Sequence, residues 1–442
     1  MSVATPARLA ALKVLLHVCE RAAFARDLLD RSREIASLSL RDAAFARKLV
    51  LGCVAAQGCL DDALDMYLDK PAKLQPAVRC ALRLSAFELI YLEADPFTAV
   101  DQGVELTRSV SRGATGLANA VLRKVARGRD SFLAAEDCRD ETQRDLVSIA
   151  RGAGLPVWLA RRIQSSLGKP GAEQLFLSQL LPAPNAACFA PASGHLAEQL
   201  GLQALGDSGC GPWLVDDMPG LLATGALRRG DAVISDLNAQ HVAQAAVREG
   251  SCLEIGAGRG TKTFVINAHA RARGLNRDHI AVDLYEAKCV QNLERLHHAG
   301  LDVGVIACAG DATNLDEVLE DLDARAGTRR LFETVLLDAP CSGTGTMRRH
   351  PEIPWRLNTS DVDTGLPALQ LALLKEASRR VAPGGVLIYA TCSVLAAENA
   401  GVVDRFRTQE REGGSFVLKE STQTIPSPGG FDGHFMAIFQ RI

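Results

Sequence analysis

Apolar positions in the first 130 residues recur at helical spacing. In Leu9-Ala10-Ala11-Leu12-Lys13-Val14-Leu15-Leu16-His17-Val18-Cys19, positions 9, 12, 15, 16 and 19 make one helical stripe. Similar stripes run through 41–57, 75–93 and 115–127, and Pro71, Pro76 and Pro96 fall between them as helix breakers. No strand pattern interrupts them, so residues 1–135 are expected to form an all-α domain.

From about 140 the pattern weakens. Seven prolines from Pro156 to Pro219 punctuate short apolar segments, and 136–229 reads as a small mixed connector or RNA-binding subdomain. After Gly230 strands alternate with helices. Residues 252–256, 279–283, 303–308, 334–338 and 386–390 are short apolar runs, separated by helical stretches such as 286–299 and 366–381. Such continuous apolar strands imply a parallel sheet covered on both faces. Residues 416–419 and 435–440 add a closing, hairpin-like pair. Residues 230–442 are therefore expected to be a Rossmann-like α/β domain with a seven-stranded, mostly parallel sheet.

Composition narrows the function classes. With 47% hydrophobic and 23% charged residues, the chain is neither disordered nor fibrous. Its 49 Lys and Arg against 52 Asp and Glu give a net charge of −3, which excludes a general nucleic-acid coat and leaves only a local patch. Residues 1–130 carry +4 and the rest −7. No acid falls between Glu105 and Asp130, where Arg108, Arg112, Arg123, Lys124, Arg127 and Arg129 cluster. That run reads either as a solvated helix face or as a phosphate-backbone footprint.

The twelve cysteines include no C-x-x-C, and Cys53 and Cys59 have no partners at zinc-site spacing, so no metal is expected. Reduced thiols, the absence of an apolar leader and the lack of any run near the ~20 residues of a membrane span point to a soluble, cytoplasmic protein without a membrane partner.

Ligands of doubly wound sheets bind beyond the carboxyl ends of the strands. The first strand here runs into Glu254-Ile255-Gly256-Ala257-Gly258-Arg259-Gly260-Thr261-Lys262-Thr263. Thr261 stands where a dinucleotide fingerprint needs its third glycine, which disfavours NAD. The next strand ends in Asp283, suited to a ribose diol, and Gly310-Asp311-Ala312 follows the third, within reach of an adenine edge. The set suits S-adenosylmethionine. The alternative reading of Asp283 and Asp311 is capping of the following helices.

Two cysteines follow the next two strands, in Asp338-Ala-Pro-Cys341-Ser-Gly-Thr-Gly and Tyr389-Ala-Thr-Cys392-Ser. A lone cysteine is usually an inert core residue, but these two share a sheet edge with the expected methyl donor. Carbon 5 of cytosine is too electron-poor to accept a methyl group directly. A thiolate adding to carbon 6 makes an enamine that can attack the sulfonium methyl; loss of the carbon 5 proton then frees the cysteine.

These motifs, with Arg348-Arg349-His350-Pro351-Glu352-Ile353-Pro354-Trp355 and Glu398-Asn399, closely resemble the RNA cytosine-5 methyltransferases of the NOL/NOP/Sun type. The helical start, including Gly116-Leu-Ala-Asn119-Ala-Val-Leu-Arg-Lys124, resembles a NusB-like RNA-binding domain. Together they resemble the architecture of the RsmB (Sun/Fmu) family of bacterial 16S ribosomal RNA methyltransferases. The resemblance implies Cys392 as nucleophile and Cys341 as the thiol assisting release of the RNA. It implies that the segment from Gly256 to Lys262, with Asp283, Asp311 and Asp338, holds S-adenosylmethionine, and that Asp338 also faces cytosine N3.

Arg348, Arg349 and His350 join Arg108, Arg112, Arg123, Lys124 and Arg127 as expected RNA contacts. The partner is expected to be 16S rRNA or a small-subunit assembly intermediate, with no obligate protein partner. The family's first loop reads D-x-C-A-A-P-G-G-K-T; here Glu254, Gly256, Gly258, Arg259 and Thr261 depart from it. The alternatives are a tRNA or other rRNA cytosine, or an RNA-binding antitermination factor whose methyltransferase half is inactive.

Overall fold

The computed structural model describes residues 3–21, 25–207, 209–275, 277–409 and 415–442. The chain forms two compact units. One comprises Met1–Pro182 and Met347–Leu357, the other Ala183–Thr346 and Asn358–Ile442. The expected 136–229 segment is thus shared between them, mainly helical up to 182 and built of short strands alternating with short helices beyond.

The first unit is helical. Its central helix, Pro76–Ile90, is buried on almost every side, by Val78, Leu82, Leu84, Phe87 and Leu89 among others, as an all-round apolar sequence requires. Pro6–Arg21, Leu40–Ala55, Pro96–Val110 and Thr115–Leu133 pack with it into one core. The stripe expected along Pro6–Arg21 is rotated. Leu12 and Leu15 are buried, Leu9 and Leu16 half-buried, and Cys19 is exposed, because the buried face runs through Ala7, Ala11, Val14 and Val18. No single helix among the described residues is long and apolar enough to cross a membrane.

The second unit contains two sheets. Strands β1 (Asn185–Phe189), β2 (Gln203–Ala204), β3 (Trp213–Val215) and β4 (Ala232–Ile234) form an antiparallel sheet in the order β2-β3-β1-β4. Strands β5 (Cys252–Ile255), β6 (His279–Asp283), β7 (Val305–Ala309), β8 (Phe332–Asp338), β9 (Val381–Thr391), β10 (Phe416–Gln423) and β11 (Phe435–Arg441) form the second, in the order β10-β11-β9-β8-β5-β6-β7. β5 to β9 pair in parallel, and β10 and β11 close the sheet antiparallel.

Alternate residues serve alternate faces. Leu253, Ile255, Ile280, Val282, Val335 and Leu337 pack with helix Leu366–Ser378, whereas Leu336, Val386, Ile388 and Ala390 pack with helix Thr261–Ala272. Strand order reverses between β5 and β8, the switch point beyond which ligand crevices open in such sheets.

Candidate active site

The crevice at that switch point has a volume of about 650 Å³ and is lined by Gly256, Gly258, Lys262, Asp283, Asp311, Asp338, Cys341 and Cys392. Residues from five strand ends therefore meet in one cleft. Gly256 makes the first turn (φ +83°), and a Cβ there would lie 2.3 Å from the Asp338 carbonyl oxygen. Ala257, Arg259, Gly260 and Thr261 do not line the cleft. Gly260 and Thr261 instead start helix Thr261–Ala272, with the Thr261 hydroxyl accepting from Arg295 at 3.1 Å. Glu254 is fully buried within the sheet against His279 (3.0 Å), so its departure from the family pattern falls outside the cleft.

Asp283 is nearly buried. One carboxylate oxygen accepts from the Gly258 N–H at 2.9 Å; the other accepts from the Tyr285 N–H at 3.1 Å and pairs with Lys288 at 3.3 Å. It thus braces the glycine loop against the next turn. Asp311 is exposed and caps the turn after β7, accepting from the Thr313 N–H at 2.9 Å and hydroxyl at 2.8 Å, bonds that hold its carboxyl below the usual range. Here capping and cleft lining coincide. The sequence reading missed the apolar lip. Leu284 and Tyr285, each 58% exposed, and Leu369 face the same cleft, and their signal is an exposed apolar pair directly after a strand-end acid.

The two cysteine loops meet because β8 and β9 are parallel neighbours, with Asp338 opposite Ala390. The Cys341 and Cys392 sulfurs are 3.0 Å apart, and the Cys392 N–H donates to the Cys341 sulfur at 3.2 Å. With Cys341 donating its proton and the Lys262 ammonium nearby, Cys392 is the more acidic thiol, held below the usual thiol range. Cys341 is pushed the other way by its bond to Cys392, by burial and by the charge of Glu398. Lys262 donates to Asp338 at 2.6 Å; burial opposes its charge, but the carboxylate more than compensates and raises its pKa.

Glu398 ties the loops together. Fully buried, it accepts from the Ser342 N–H (2.8 Å), the Ser342 hydroxyl (2.5 Å), the Ser393 hydroxyl (2.5 Å) and the Gln370 amide (3.0 Å). Ser342 and Ser393 each follow a cysteine. Beside them the Gly345 N–H donates to the Cys392 carbonyl at 2.9 Å, an approach so close that a Cβ on Gly345 would meet the Gly433 oxygen at 2.0 Å.

In the helical unit, the basic run lies along Pro96–Val110 and Thr115–Leu133. Arg108, Arg112, Arg123, Lys124 and Arg127 are exposed, and Arg108, Arg123 and Arg127 line a groove of about 600 Å³ that also presents Phe97, 81% exposed. The charge is less free than its spacing suggested, since Arg108 pairs with Glu105 at 2.5 Å and Arg129 with Glu93 at 2.7 Å. Segment Met347–Leu357 packs in the same unit. The Trp355 indole donates to the Ala55 carbonyl at 2.7 Å, and Arg26 donates to the Arg349 carbonyl at 2.5 Å. Arg348, expected to touch RNA, is only 8% exposed because this segment folds it inward; Arg349 is half-buried and His350 exposed.

The family model for 16S rRNA methyltransferase RsmB/F matches residues 242–440, and that of the NusB family matches residues 5–127. Ribosomal RNA small subunit methyltransferase B of Thermus thermophilus is 29% identical over an alignment of 461 residues, covering 100% of this chain and 99% of the relative. A Mycobacterium tuberculosis protein named as a methyltransferase is 30% identical over 419 residues, covering 90% of this chain and 86% of the relative. Among solved structures, PH0851 shares the fold over 100% of both chains at a TM-score of 0.74 and 18% identity. NSun6 from Pyrococcus horikoshii with SFG shares it over 65% of this chain and 98% of that one, at a TM-score of 0.52 and 16% identity.

Proposed function

Since the chain belongs to the 16S rRNA methyltransferase RsmB/F family, we propose that it methylates carbon 5 of a cytosine in small-subunit ribosomal RNA through a covalent cysteine adduct. RNA methylation with S-adenosylmethionine is the family's activity. The cleft fits that donor: Asp283 offers a carboxylate to a ribose diol, and Leu284, Tyr285 and Leu369 offer apolar surface to an adenine ring.

The donor supplies an electrophilic methyl group; the remaining work falls to the protein. Cys392, the more acidic thiol, adds to carbon 6 of the base and loads carbon 5 with electrons for the methyl transfer. Asp338 sits within the same cleft facing the ring near N3, and the Lys262 ammonium, 2.6 Å from it, is the positive charge that offsets the negative charge developing on the ring. After transfer, a base takes the carbon 5 proton, and the electrons of that C–H bond restore the double bond to carbon 6. The bond to Cys392 breaks with Cys392 leaving as the thiolate, Cys341 assisting release. The Lys262 ammonium pairs with Asp338 and favours the thiolate at Cys392.

The observation that carries this reading is the pair of thiols 3.0 Å apart at matching strand ends, opening into one cleft with Asp283. The experiment is a denaturing gel of protein incubated with 16S rRNA fragments and S-adenosylmethionine. Cys392→Ala is expected to form no adduct and no 5-methylcytosine. Cys341→Ala is expected to accumulate a protein–RNA band, which Cys392→Ala added to it removes. A band in Cys392→Ala alone would exchange the two roles, and no band in either single variant would defeat the covalent mechanism.

A further inference from the structure

The helical unit holds a second thiol pair, which the methyl-transfer chemistry does not use. Cys19, near the end of helix Pro6–Arg21, is the one exposed cysteine of the twelve. Its sulfur lies 3.6 Å from that of Cys80, in helix Pro76–Ile90. Arg83, almost one turn beyond Cys80, donates to the Cys19 sulfur at 3.5 Å, while its other nitrogens grip Asp61 at 2.8 and 2.5 Å. That grip fixes the guanidinium in place, and an arginine keeps its charge at every relevant pH. Cys19 and Cys80 are among the residues lining an open cleft of about 500 Å³, with Cys19 exposed and Cys80 buried behind it, and the cleft is large enough to admit a small oxidant to Cys19. An accessible thiol, a fixed cation and a second thiol in contact are the three parts of an oxidation-sensitive pair.

We propose that Cys19 and Cys80 form a peroxide-oxidisable pair, with Cys19 as the attacking and Cys80 as the resolving thiol. The Cys19 thiolate attacks hydrogen peroxide. The O–O bond breaks, an S–O bond forms, and hydroxide leaves with the electron pair, giving a sulfenic acid. Cys80 then attacks that sulfur; the S–O bond breaks, and the departing hydroxyl takes the Cys80 proton and leaves as water. Both sulfurs are oxidised to a disulfide and the peroxide is reduced to water.

The electrostatics favour this order. The bond from Cys80 and the charge of Arg83 hold the Cys19 thiol down to about 7, against burial and Asp61, which push it up. The bond to Cys19, burial and the negative charge on Cys19 keep the proton on Cys80. Once Cys19 is a neutral sulfenic acid that charge is gone, so the resolving thiol becomes easier to deprotonate at the step where it must attack. The neighbouring Cys53 is fully buried and donates to the Arg83 carbonyl, and burial raises its pKa well above the usual thiol range, so it does not compete.

The test uses the full-length, reduced protein exposed briefly to dilute hydrogen peroxide and digested with trypsin. The expected product joins residues 14–21 to residues 80–83 and is lost on reduction. Cys80→Ala, with Cys80→Ser as a second variant in case one packs poorly, is expected to leave a dimedone-reactive sulfenic acid on Cys19. Without peroxide, iodoacetamide at pH 7 is expected to label Cys19 roughly tenfold faster in the folded protein than in urea, from the larger thiolate fraction. Arg83→Met is expected to remove part of that advantage, the bond from Cys80 keeping the rest, and Arg83→Lys to lose less of it than Arg83→Met. Equal labelling in folded and urea-treated protein would overturn the proposal. So would a peroxide-treated digest in which Cys341 and Cys392 are linked while Cys19 stays reduced.

Discussion

Glu398 is the side chain on which the geometry of the two cysteine loops depends, and Glu398→Ala measures that dependence. The carboxylate accepts four hydrogen bonds in a fully buried site. The losses are unequal. The Ser342 and Ser393 hydroxyls lie 3.2 Å from each other and 3.2 and 3.1 Å from the Thr344 hydroxyl, so they can re-pair. The Gln370 amide keeps its bond to the Pro340 carbonyl at 2.9 Å. The Ser342 N–H loses the carboxylate it donates to, and an unpaired buried donor costs about 1–3 kcal/mol. Weakened hydroxyl bonds and the cavity left by the side chain bring the total to roughly 3 kcal/mol.

That cost falls on the loop carrying Cys341, so hydrogen exchange at the Ser342 amide is the direct assay. An opening free energy lowered by about 3 kcal/mol corresponds to roughly a hundredfold faster exchange. Methyl transfer should fall with it, because the 3.0 Å spacing of the thiols is no longer held. Glu398→Gln keeps the volume and one acceptor, and is expected to speed exchange only about tenfold, for a loss near 1.4 kcal/mol. Unchanged Ser342 exchange in Glu398→Ala would refute the reasoning, since the bond network would then contribute nothing to loop position.

Replacing Arg123, Lys124 and Arg127 together by Ala should weaken RNA binding and flatten the log–log salt slope by about 2 to 3, as three lost phosphate contacts require; an unchanged slope measured by filter binding would return the run to a solvated helix face. Asp283→Ala should abolish calorimetric binding of S-adenosylhomocysteine while the domain stays folded by circular dichroism, and normal affinity would make Asp283 only a brace for the Gly258 turn. Cys392 alkylation should persist below the pH range of an ordinary thiol, because its folded pKa is depressed and the thiolate survives until pH falls through that value. Lys262→Met should move this profile to higher pH, and a profile that stays in place would remove Lys262 from the electrostatics of the site.

Local features were legible in the residues. Strand ends, glycine turns and the spacing after them depend on neighbours in the chain, so the β5 loop, Asp283, Asp311, Cys341 and Cys392 can each be placed at one sheet edge from pattern alone, and parallel pairing then brings the two cysteine loops together. Properties set by distant partners were not legible. Glu398 acts through Ser342, 56 residues away, and nothing in the spacing announces that bond. Arg129 loses free charge to Glu93, 36 residues earlier in the loop after helix Pro76–Ile90, and Arg348 is turned inward by a segment that packs with the helical unit. Cys19 lies on the expected apolar stripe yet is exposed, because helix orientation is decided by which face buries the most surface against its neighbours. Periodicity and turn chemistry reach a few residues along the chain; burial and pairing energies act across space, so only the packed fold decided which charges stay free, which thiols touch and which carboxylate holds the loops.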